Sequence, residues 1–247
     1  MQWPNTQSTV NQTSAAVRDE GLRAFMLRIY NYMGSALALT GIVAYITANT
    51  PALLRMFYSV SPDGYVTGMS AMGWLIAFAP VGIVFYLSFR MHRMSFAAAQ
   101  GWFWGFAVLM GLSLSSIFLA YTGASVARVF FITAITFGGM SLYGYTTKRD
   151  LTGVGSFLIM GFWGLFAAMI VNLFLQSTML HFLISVVGVV VFIGLTAYDT
   201  QKLRKVYYQL GGHAEALAKA SIMGALTLYI DFINLFIMLM RLLGERR

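Results

Sequence analysis

Eight acidic residues occur in the 247-residue chain, and position separates two of them from the rest. Asp19, Glu20, Asp63, Asp150, Glu215 and Glu245 fall in tails or between apolar runs. Asp199 closes one apolar run, and Asp231 stands close to the midpoint of the next, Ser221 to Arg241. A helix of roughly 20 apolar residues crosses a bilayer. An ionisable group at mid-depth costs about 2.5–3.5 kcal/mol on insertion scales, so such groups face the protein interior and act there. Two carboxylates near each other in a low dielectric cannot both ionise cheaply, so they share a proton and respond to pH. When both are ionised they offer oxygen ligands to a hard cation such as Ca²⁺. Each residue also has a plainer reading. Asp231 can be a hydrogen-bonded tie between helices, and Asp199 can pair with Lys202, three residues further along one helix.

Helical steps around Asp231 put Ser221, Gly224, Thr227, Asp231 and Asn234 on one face. This small and polar stripe, with Thr227 and Asn234 supporting the aspartate, suits a helix enclosed by others. The counter-charge that fits the pair is Arg90, at the end of the second apolar run; its plainer reading is an interface anchor. His92, His181 and His213 sit in three separate regions, so no histidine metal site is expected. The chain has no cysteine, which excludes disulfides and thiolate chemistry. No Gly-rich phosphate loop, serine elbow or HExxH motif appears. No cofactor and no enzymatic activity are expected, and Asp199 and Asp231 are the candidate ligands for calcium.

The elements that must position these residues are seven apolar runs, at residues 26–48, 71–89, 96–121, 126–146, 152–175, 179–199 and 221–241. Hydrophobic residues make up 59% of the chain and charged ones only 10%, against about 25% charged in a soluble domain. The spacing predicts an all-α membrane protein, a seven-transmembrane-helix bundle, with residues 1–22 a polar, disordered tail and 23–247 one domain. Pro80 lies inside the second run, where a kink is expected. Gly101, Gly105 and Gly111 to Ser115 in the third run suit close helix approach. Residues 200–218 read as a short polar connector. The sixteen methionines and the aromatic-rich third run read as packing and interface anchoring.

A net charge of +8 invites nucleic acid as a partner, but the basic residues are scattered in twos and threes between apolar runs. They follow the positive-inside pattern instead. Arg18, Arg23, Arg90, Arg93, Lys148, Arg149, Lys202, Arg204 and Lys205 fall on the side of the N-terminus, and only Arg55 and Arg128 on the other. The N-terminus is therefore expected to be cytoplasmic. The basic end Gly244–Arg247 would then lie outside after seven crossings, against the charge rule, unless the last run re-enters. Its apolar length favours a full crossing.

Ala197–Lys202 closing one run and Leu228–Phe236 inside the next resemble the paired motif of the Bax inhibitor (transmembrane Bax inhibitor motif) family. Ser141–Asp150 resembles its bacterial branch. The resemblance implies a seven-helix fold with the last helix central, a pH-sensitive calcium leak or a Ca²⁺/H⁺ exchanger, and a bacterial inner-membrane location. The family's aspartate pair falls on Asp199 and Asp231. Its latch arginine falls on Arg90, with Arg93 also within reach of the motif. Expected partners are the lipid bilayer, calcium and protons. A non-transporting regulator of another membrane protein, such as a membrane-bound protease, is the alternative. An intramembrane aspartyl protease is a minor one, because Leu228 and Ile230 replace the glycines of its Gly-x-Gly-Asp motif.

Overall fold

The computed structural model describes residues 6–61, 66–90, 93–211 and 213–247, with side chains from residue 19 onward. Seven helices are long and apolar enough to cross a membrane: α1 (Thr6–Asn49, its spanning part from Asp19), α3 (Ala71–Arg90), α4 (Phe96–Ala120), α5 (Gly123–Thr146), α6 (Thr152–Leu175), α7 (Thr178–Gln209) and α8 (Ala214–Leu243). A short helix α2 (Pro51–Phe57) and a two-stranded hairpin, β1 (Tyr58–Val60) with β2 (Val66–Met69), join α1 to α3. The chain is an all-α multi-pass membrane protein.

Helix starts follow ordinary capping chemistry. Ser95, Thr122 and Ser177 each accept a backbone N–H three residues on, opening α4, α5 and α7. Thr122 to Ser125 thus make the first turn of α5. Pro51 opens α2, where a missing N–H costs nothing. Helix α3 runs on through Pro80 without interruption.

α8 is the central helix. Of its most apolar stretch 72% is buried, against 33% or less for each of the other six spanning helices. It packs against α1, α4, α5 and α7, while α6 leans on α7 and α3 on α4. Leu228, Tyr229 and Leu235 are completely enclosed and sit in one core with Ile29, Phe103, Phe106 and Val129. Close approach is set by glycines: a Cβ on Gly144 of α5 would strike the Ala197 carbonyl of α7.

Three sequence expectations meet a different structure. Helix α1 begins at Thr6, inside the stretch whose polar composition predicts a disordered tail, and Leu22 is buried in the core. The loop expected between the first two runs holds α2 and the hairpin, whose Phe57 and Tyr58 pack with Ile76. Its residues Pro62, Asp63 and Gly64 lie outside the described residues, as does His92.

The third is the connector expected at 200–218, whose first ten residues continue α7. The polar residues there form a gripping face at i, i+3 and i+4 spacing. Gln201 accepts from Leu151 N at 2.9 Å and donates to Arg149 O at 2.7 Å. Arg204 donates to the carbonyls of Tyr145 and Thr147, and Lys205 pairs with Asp150 at 2.7 Å. The basic residues counted for orientation also hold the α5–α6 loop to α7.

The last helix crosses fully. Its C-terminal residues pair with the α4–α5 turn: Thr122 N donates to Glu245 O and Arg247 N to Ala120 O, and Arg128 meets Glu245 at 2.7 Å. That turn lies at the end of the bundle opposite the start of the first span, so seven crossings separate the two termini.

Two measurements check this account. Gly144→Val should lower thermal stability in detergent by about 1–3 kcal/mol through overpacking, whereas Gly139→Val, facing open space, should not. The Lys205 ammonium, with Thr152, holds the exposed Asp150 carboxyl down to about 2. A depressed acid stabilises the fold above its unfolded value and loses that contribution as pH falls through its folded one. In Lys205→Ala, carboxyl NMR should find Asp150 titrating higher than in the wild type, toward the ordinary value of about 3.9, with the Thr152 hydrogen bonds holding it short of that value.

Candidate functional site

Helices α7 and α8 run antiparallel, and two contacts set their register. A Cβ on Gly224 would meet Leu203, and one on Gly188 would meet Met238. Between these contacts, Asp231 lies against the turn Thr196–Asp199. The carboxyls of Asp199 and Asp231 are near enough to interact directly. Asp231 is buried, at 5% exposure, and its Oδ2 has no hydrogen-bond partner among the described residues. Asp199 is half-buried. The two aspartates singled out in the sequence form one site.

That site has no donor arranged to satisfy an ionised pair. A buried carboxylate needs partners for its lone pairs, and an orphaned one carries the full desolvation cost. A proton shared between the two carboxyls relieves that cost, and so does a bound cation. The tie reading of Asp231 predicts hydrogen bonds that anchor it; Oδ2 makes none.

The donors of the polar stripe bond along their own helix. Thr227 donates to Met223 O at 3.1 Å, Asn234 to Ile230 O at 2.9 Å, and Ser221 to Leu217 O at 2.8 Å. Each spends its donor on its own helix four residues back, a habit of polar side chains inside helices. None of these donors reaches Asp231.

Arg90 ends α3 and is exposed, with no ion pair to either aspartate among the described residues. The pair expected between Arg90 and Asp199 is not formed. Arg93 is likewise exposed in the following turn. The cation whose charge acts on Asp199 is Lys202, one turn on in α7. His181 and His213 stand at the α6-facing and α8-capping ends of different helices, and no group of three or more His, Asp or Glu converges among the described residues.

Sequence reading missed the hydroxyl chains that flank the site. Thr40 gives its only proton to Ala107 O at 2.8 Å, so Tyr229 donates to Thr40 at 2.7 Å. This joins α8, α1 and α4. Thr200 donates to Thr196 O, so Ser141 donates to Thr200 at 3.0 Å and Tyr30 to Ser141 at 2.6 Å. That chain joins α1, α5 and α7 beside Asp199. The signal was present: Tyr229, Thr200 and Ser141 all lie within the motif stretches, two or fewer residues from an aspartate or at the motif's start.

Comparison with known proteins agrees with this architecture. The family model described as "Inhibitor of apoptosis-promoting Bax1" matches residues 22–247. The chain is 51% identical over 229 residues to a protein of Rickettsia prowazekii, covering 93% of this chain and 92% of that one. It is 46% identical over 229 residues to a protein of Caulobacter vibrioides, covering 93% and 91%. It is 43% identical over 228 residues to the inner membrane protein YbhL of Escherichia coli K12, covering 92% and 94%.

The contrast between an orphaned acid and a satisfied hydroxyl can be read thermally. Tyr229→Phe should lose about 1 kcal/mol of stability in detergent, one buried hydrogen bond. Asp231→Leu, of similar volume, should lose none and can gain about 1 kcal/mol. A large loss in Asp231→Leu would return the residue to a structural role.

Proposed function

The chain belongs to the Bax inhibitor family, and on that footing we propose that it is a pH-sensitive calcium leak, conducting Ca²⁺ past Asp199 and Asp231. The observation that carries this reading is the buried Asp231 carboxyl, unsatisfied at Oδ2 and beside a second acid. Calcium takes 6–8 oxygen ligands. Two carboxyls with no third acidic or histidine ligand among the described residues suit an ion that binds briefly and leaves, with water and carbonyls completing its shell, better than a resident metal. No catalytic step is assigned to the pair. Leu228 fills the space before Asp231 where a protease of this kind carries glycine.

The gate in this proposal is electrostatic. With Asp199 ionised, Arg90 reaches it by a swing of α3, whose main contacts are with α4 and α2. Protonation of the pair removes the attraction, and the population moves to the released form, with Arg90 exposed. Acid therefore raises the leak. The N-terminus is assigned to the cytoplasm on the distribution of basic residues, and the membrane to the bacterial inner one, after the relative named as an inner membrane protein.

The test is Ca²⁺ flux into proteoliposomes across a range of pH. Flux should rise on acidification by about fivefold or more, the lower bound of a coupling worth 1 kcal/mol. Asp199→Asn and Asp231→Asn should flatten that response, and Arg90→Gln should leave the leak high at neutral pH. An unchanged pH profile in Asp199→Asn would sink the pair as sensor. A folded protein without flux would instead support the non-transporting regulator, and the search would turn to a partner membrane protein.

A further inference from the structure

Helices α1 and α5 flank α8 and meet where Tyr30 donates to Ser141 at 2.6 Å, a bond that lies on the wall of the space between them. Between them runs a groove of about 620 Å³, floored by Phe232 of α8 and open to the side of the bundle that faces lipid. It continues at one end into an open cavity of about 760 Å³ through Arg23 and Tyr145, which line both. Gly34 of α1 and Gly138 of α5 line the groove, and a Cβ on either would meet nothing within 4 Å. These glycines do not draw two helices together; they widen the space between them. Bulkier residues there would fill the groove.

The mouth differs from the interior. Its charged side chains are Arg23, Arg204, Asp19 and Glu20. Arg204 has committed donors to Tyr145 O and Thr147 O. Arg23 stands four residues from Asp19 and three from Glu20, the spacing at which helix charges pair, yet no ion pair joins them among the described residues. Both signs are presented separately to one cavity. From Arg23 to Leu37 the groove extends about 21 Å along α1 at 1.5 Å per residue. One leaflet of hydrocarbon is about 15 Å deep, half of a 30 Å core, so the length takes an acyl chain and its glycerol region.

We propose that the groove between α1 and α5 is a binding site for one phosphatidylethanolamine-type lipid, an acyl chain against Gly34 and Gly138 and the headgroup among Arg23, Asp19 and Glu20. The phosphate accepts from the Arg23 guanidinium, and the primary ammonium donates to the carboxylates. A choline headgroup has no N–H to donate. A glycerol headgroup leaves the acids facing a net negative lipid. The mouth therefore selects a headgroup that carries both charges and a donor. This site is independent of the calcium reading, since no residue in it belongs to the aspartate pair.

Native mass spectrometry of the delipidated full chain, with equimolar phosphatidylethanolamine, phosphatidylcholine and phosphatidylglycerol of the same acyl chains, tests this. The ethanolamine lipid should be retained over the other two by about tenfold, the equivalent of one hydrogen bond to a charged group. Gly138→Phe and Gly34→Phe should each abolish that retention at an unchanged melting temperature. Gly82→Phe, on the exposed face of α3, should leave it intact. Glu20→Gln with Asp19→Asn should erase the preference over phosphatidylcholine. Preference for phosphatidylglycerol, equal retention of all three lipids, or full retention in both phenylalanine variants would overturn the assignment.

Discussion

Hydrocarbon supplies no partner to a polar atom, so each hydroxyl, amide or acid inside a spanning bundle must be satisfied by the protein. The structure is arranged around that constraint. Tyr229 passes its proton to Thr40 and Thr40 to a carbonyl of α4. Tyr30, Ser141 and Thr200 do the same across three helices and end on a carbonyl of α7. In each chain the last hydroxyl bonds a backbone oxygen, which sets the direction of every earlier bond. Asp231 breaks the rule at one oxygen. A fold that satisfies its hydroxyls so fully and leaves a carboxyl oxygen bare has its functional question located there.

α7 links that question to the water-facing end of the bundle. One face of the helix carries Asp199 toward α8. The next two turns carry Gln201, Arg204 and Lys205, which hold the α5–α6 loop. The same element thus bears the acid and anchors the loop that closes the bundle around it. α5 and its following loop are tied to α7 by these bonds, whereas α3 makes its main contacts with α4, α2 and the hairpin. In the proposed gate, α3 is therefore the element that answers a change of charge on Asp199.

The enclosure of α8 has a consequence for the lipid-facing surface. Surrounding a central helix with neighbours leaves seams wherever two neighbours meet only in part. The seam between α1 and α5 is one, kept wide by glycines and ending among charges of both signs. In water such an apolar seam would collapse or aggregate. In a membrane it is filled by lipid tails at no hydrophobic cost, so it can persist and be selective at its polar end.

Much of this protein was legible in its sequence, because hydropathy and helical period answer to the bilayer directly. Seven runs of the right length, the inward aspartate in the last of them and the acid that closes the sixth all follow from the cost of polar groups in hydrocarbon. The tertiary structure alone decided what those residues meet. Thr227 and Asn234 share a helical face with Asp231, but their donors turn back to their own helix. Arg90 has the right charge and the right end of its helix, yet it stands exposed and apart from Asp199. Residues 200–209 have the composition of a loop and are helix, because their spacing matches carbonyls supplied by another part of the chain. Periodicity is a local property and can be read from neighbours in sequence. Partnership depends on the register and gap between helices, which side-chain volumes across the whole bundle determine.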